Sequence, residues 1–128
     1  MSPATARAFL VIGALSALLG VALGAFAAHG LRGRVPPEAL SAFETGARYH
    51  MYHALALVAL GLTGARGLGG PLAPVAGWLF LAGTVLFSGS LYALALTGHR
   101  WLGAITPFGG FAFLLGWLAV AVAAFRAP

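Results

Sequence analysis

The side chains that could do chemistry are few. There are four histidines (His29, His50, His53, His99), two carboxylates (Glu38, Glu44) and seven arginines, with no Lys, Asp, Asn, Gln or Cys anywhere. Most of them crowd into one stretch. Glu44 and Arg48 are four residues apart with the acid first, the favourable order for an ion pair on one helix face. His50 and His53 are three apart and predict a shared face, and Tyr49 can stack on or hydrogen-bond to His53 one turn later. Three readings stay open for Glu44, Arg48, Tyr49, His50 and His53, with His29 and His99 beside them. The charged groups snorkel to headgroups among an aromatic belt of Tyr49, Tyr52, Tyr92 and Trp101. Alternatively, the group forms a proton- or solute-binding site. A histidine metal site is the third reading, weakly supported by a three-apart pair. No catalytic set is visible. Ser88 and Ser90 have no base nearby in sequence, Glu44 has no carboxylate partner, and Phe87-Ser88-Gly89-Ser90 is not a nucleophile elbow. Without Cys there are no disulfides, thiolate metal ligands or thiol chemistry. No cofactor or metal is expected.

The elements that must position these residues follow from composition. In 128 residues, 61% are hydrophobic and 7% charged, against a usual charged share of about 25%. Mean hydropathy is +0.97. These figures exclude a soluble globular domain, a disordered chain and a nucleic-acid binder. The net charge of +5 comes from scattered arginines, not a patch. The chain reads as a single all-α domain in the membrane. Its four helices, over residues 7–28, 47–65, 74–98 and 102–125, form an up-down bundle with short connections. A barrel would need alternating polar positions, which are absent. The first apolar run is about 20 residues, longer than a signal peptide's roughly 7–15, so it reads as a retained span. Between the first two spans, Pro36-Pro37-Glu38 starts a helix in which Leu40, Phe43 and Ala47 recur at helical spacing. This is a short amphipathic helix in the interface or a wet extension of the second span, with Gly46 as the expected bend.

Span order alone places all four histidines and both glutamates toward one membrane face, because the end of one span lies beside the start of the next. Arg7, Arg66 and Arg126 mark the other. Counting back about 20 residues from Ala65 reaches Gly46 and puts Arg48, His50 and His53 within the nominal hydrocarbon layer. Gly13, Ala17, Gly20 and Gly24 form a small-residue stripe that serves packing within the chain or self-association. Thr106-Pro107 predicts a loosened fourth helix near the polar face. Arginine counting leaves the orientation tied.

Four motifs in order, Gly24-Ala25-Phe26-Ala27-Ala28-His29-Gly30-Leu31, Phe43-Glu44-Thr45-Gly46 with Tyr49 and His53, Leu86-Phe87-Ser88-Gly89-Ser90-Leu91-Tyr92, and Thr106-Pro107 with Gly109-Gly110, resemble the YgdD-like family, domain of unknown function four-two-three. Ala27 stands where the family usually has Gly, and His50 where it often has Gln, which counts against His50 as a metal ligand. The resemblance implies a bacterial inner-membrane protein, with relatives in mitochondria. The family's basic second loop and C-terminal tail imply that both termini are cytoplasmic, so the His/Glu/Arg cluster faces out. It carries over no activity and no functional residues. The expected role is therefore non-enzymatic: a helix-packing, assembly or accessory protein whose partners are the bilayer, further copies or a larger membrane complex, and not nucleic acid. The alternative is a small transporter, channel or solute- or proton-binding protein that uses the outer-face cluster.

Overall fold

The computed structural model describes all residues, Met1–Pro128, and is entirely helical. α1 runs Pro3–Phe26 and continues through a π turn, Ala27–Leu31. Its start is set by Pro3, whose missing N–H costs nothing in a first turn, and by the Ser2 hydroxyl, which accepts from the Thr5 N–H at 3.1 Å. α2 is Pro37–Ala65. α3 is Leu72–Gly83, a π turn Thr84–Ser88, then Gly89–Thr97, and Gly98 closes it in the left-handed region at φ 74°. A 3-10 turn, Arg100–Ala104, leads into α4, Thr106–Arg126.

Three of these rods, Pro3–Leu31, Leu72–Thr97 and Arg100–Arg126, are long and apolar enough to cross a membrane. α2 is the polar exception and also lies deepest in the protein, with a continuous buried stripe from Phe43 to Gly64. Those facts go together: the helix that carries the histidines is the one shielded by its neighbours.

Successive helices are antiparallel. Gly13 of α1 meets Val58 of α2, and Gly20 meets Met51, while Gly61 of α2 meets Ala6 and Leu10. Gly46 of α2 meets Ser88 and Tyr92 of α3, and Gly83 of α3 meets Gly109 and Phe113 of α4. The main packings are α1 on α2, α2 on α3 and α3 on α4. α2 and α4 do not pack backbone to backbone, so the helices form an open row rather than a closed ring. The principal core is Phe9, Leu57, Leu60, Ala76, Phe80 and Phe113 with smaller residues between, and a second cluster of Ala27, Leu31, Phe43 and Ala95 caps the polar end.

Three sequence expectations are corrected. No separate amphipathic helix lies between the first two spans; that segment is the first turns of an unbroken α2. Gly46 does not bend it, because the glycine is needed for contact: a Cβ there would lie 3.3 Å from the Ser88 carbonyl oxygen. The fourth helix is not loosened at Pro107, which sits in the first turn of α4, where proline is tolerated. The unwound segment is the 3-10 turn before it.

Candidate functional site

The polar residues do not gather into one cluster. His29 and His99 are exposed at the ends of α1 and α3. Glu44 does not pair with Arg48. Its Oε1 accepts from the Arg32 guanidinium at 3.2 Å, with both side chains substantially exposed. Arg32 follows the π turn of α1 and reaches over the start of α2, closer to the acid than Arg48. Arg48 is exposed and turns toward the polar end, where it donates to Thr45 Oγ1 at 3.4 Å.

His50 and His53 also part company. Both are 3% exposed and flank the midpoint of the 29-residue α2, about 20–24 Å from its start. They point to different neighbours. His50 bridges three helices: Nε2 shares a hydrogen bond with Ser16 Oγ of α1 and Nδ1 with the Tyr92 hydroxyl of α3, each at 2.9 Å. His53 faces α3 and α4. Its Nε2 accepts from the Trp117 indole N–H at 3.0 Å, and its Nδ1 bonds to the Tyr49 carbonyl at 2.7 Å. An indole N–H can only donate and a carbonyl can only accept, so His53 is the neutral Nδ1–H tautomer with both nitrogens in use. The ring stacks on Phe113, centroids 3.5 Å apart and nearly parallel. His53 has no nitrogen lone pair left for a metal, and no three His or carboxylate side chains come together.

The smaller polar residues follow the same rule. Ser88, fully buried, donates to the Gly46 carbonyl at 2.7 Å. The π turn of α3 ends at Ser88 and supplies that reach. At the start of that turn the Thr84 hydroxyl also donates to the Phe80 carbonyl at 2.8 Å. Ser90 and Thr106 share a 2.6 Å bond that ties α3 to the start of α4. No buried side-chain nitrogen or oxygen lacks a partner.

Of the small-residue stripe, Gly13 and Gly20 are buried against α2, where Gly13 leaves room for the Val58 backbone, and Ala17 is half-buried. Gly24 has nothing within 4 Å of where its Cβ would be. Three of the four positions therefore lie on or beside the α1–α2 contact.

Because α2 and α4 stand apart, His53, Phe80, Phe113 and Trp117 fill the space between them. On the polar-end side of Trp117 an open groove remains, lined by Tyr49, Phe87, Pro107, Phe111 and Leu114. On the other side a second groove is lined by Ala56, Thr63, Ala73, Val120 and Ala124. Sequence reading missed the Trp117–His53, Ser16–His50 and Ser88–Gly46 bonds. Ser16 carried a usable signal, as the lone polar residue in an apolar span set at the antiparallel level of His50.

Comparison with known proteins is consistent with this membrane reading. Residues 23–110 match a family model described as "Protein of unknown function (DUF423)". The chain is 49% identical over 120 residues to the UPF0382 membrane protein YwdK of Bacillus subtilis, covering 94% of this chain and 98% of that one. It is 46% identical over 120 residues to the UPF0382 membrane protein SERP0230 of Staphylococcus epidermidis, covering 94% and 97%. With the UPF0382 membrane protein SAB0533 of Staphylococcus aureus it shares 44% over 121 residues, covering 94% and 97%. No solved structure matches.

Proposed function

The chain belongs to the DUF423 family, and on that footing we propose that it is a four-span inner-membrane protein with both termini in the cytoplasm, acting as a non-catalytic packing and assembly module. The observation that carries the reading is the internal use of its polar groups. His50, His53, Ser88 and Ser90 all bond to other residues of the same chain. Charged and polar groups inside a transport pathway would instead face a wet cavity. Glu44 and Arg48 lie outside and apart, and His53 turns away from both. What remains for partners is a set of long apolar faces, among them Val11, Leu15, Leu18 and Val21 of α1.

Four spans are supported by the antiparallel register of α2 with α1 and α3, which runs α2 through the same slab as its neighbours. The orientation is supported by Arg66 in the second loop and Arg126 in the tail, the features that tip the resembled family toward cytoplasmic termini.

Native mass spectrometry of the protein released from membranes tests the assembly role. The expected result is a mass above one chain that falls to one chain in Gly24→Leu, since Gly24 is the stripe position left open. A single-chain mass, together with proton or solute flux through reconstituted vesicles, would replace this reading with the transporter alternative.

A further inference from the structure

The groove on the polar-end side of Trp117 has the dimensions of one leaflet. On α4 it runs from Pro107 to Trp117, ten helical rises or about 15 Å, half of a hydrocarbon core of about 30 Å. Its floor is Phe87, and its walls are Tyr49 of α2 with Phe111 and Leu114 of α4. Gly110 leaves it open: the nearest atom to a Cβ there is Phe87 Cδ2 at 3.9 Å. Arg48, exposed and one residue before the wall residue Tyr49, reaches back along α2 to Thr45 toward the polar end and has no carboxylate partner, because Glu44 is held by Arg32.

We propose that this groove is a binding site for one anionic glycerophospholipid, with an acyl chain lying along Phe87 and Trp117 and the phosphate at Arg48. The two halves of the argument are independent. An apolar slot of leaflet length opens to the side of the protein, where in a bilayer the tails lie. A cation without a counter-ion stands at the end where a headgroup sits. Arginine gives that phosphate paired N–H donors, which a zwitterionic headgroup partly satisfies by itself. The inference rests on the four-span placement proposed above, but not on the orientation or the assembly role.

The test uses the full-length protein in vesicles, with Trp78 and Trp101 replaced by Phe so that Trp117 alone reports. Lipids brominated in mid-chain quench tryptophan on contact. Brominated phosphatidylglycerol is expected to quench at about fivefold lower mole fraction than brominated phosphatidylcholine at low salt, the scale of one arginine at a membrane surface. Arg48→Gln removes the preference, as does Gly110→Leu, which fills the slot. Arg34→Gln, on the exposed loop, leaves it unchanged. Equal quenching by the two lipids in the parent overturns the proposal, as does a preference that survives both Arg48→Gln and Gly110→Leu. Quenching of Trp117 by neither lipid also overturns it and points to a second copy in the groove. A parallel chain that keeps only Trp78, on lipid-exposed α3, separates that outcome from failure of the membrane placement, which would leave Trp78 unquenched as well.

Discussion

Replacing Trp117 with Phe keeps an aromatic ring beside His53 and Phe80 but removes the one donor to His53 Nε2. His53 is 3% exposed, so its acceptor is left unpaired inside the bundle, whereas Trp117 itself is 48% exposed. An unpaired buried acceptor costs about 1–3 kcal/mol. Interhelical hydrogen bonds in membrane bundles couple by about 0.6 kcal/mol on average and about 1.7 at most. The bond is 3.0 Å long, and these two ranges together put Trp117→Phe at about 1–2 kcal/mol. His53→Phe keeps a ring for the stack on Phe113 and removes the acceptor. The double variant removes both partners while holding their shapes, a change that is nearly neutral for the bond itself. Reversible unfolding in mixed micelles of the two single variants and the double variant measures the coupling, expected at about 1–1.7 kcal/mol. Additivity to within about 0.3–0.5 kcal/mol would refute the cross-link and the tautomer assigned from it.

The exposed Arg32–Glu44 pair is worth at most about 1 kcal/mol, so Glu44→Ala destabilises only slightly more than Glu38→Ala, and a thermal-unfolding cycle couples Glu44 to Arg32 and not to Arg48. A Cβ on Gly109 would run into the Phe87 backbone, so Gly109→Ala costs about 1–3 kcal/mol or more, while Gly24→Ala, with open space, is neutral or stabilising in the same melts. Ser88→Ala removes the bond to the Gly46 carbonyl and lowers stability by about 1 kcal/mol, read from the unfolding midpoint.

Apolar run lengths and arginine punctuation were enough to anticipate an all-helical chain of four helices, and antiparallel neighbours followed from short loops. The interior was much less legible. Spacing put His50 and His53 on one face, but a three-residue step on α2 turns the ring from α1 toward α4, and which neighbour stands there is a tertiary fact. The Glu44–Arg48 spacing was real, yet Arg32 arrives from the end of a π turn that no residue pattern announces. The π turn at Thr84–Ser88 likewise sets the direction in which Ser88 reaches Gly46. The length of α2 was underestimated, because the helix begins at Pro37, ten residues before the span read from hydropathy. The groove was invisible for a related reason: it exists because the backbones of α2 and α4 stand apart and meet only through side chains.

The account turns on His53 being spent within the protein. Solid-state NMR of the protein in bilayers, labelled with nitrogen-15 at histidine and with His53 assigned through His53→Phe, reads the state of each ring nitrogen directly. The account predicts a protonated Nδ1, a bare Nε2 and a through-space correlation from that Nε2 to the Trp117 indole proton. A protonated Nε2 or a doubly protonated ring, with no contact to Trp117, would contradict it, because the imidazole would then be facing water or a ligand instead of its own fourth helix.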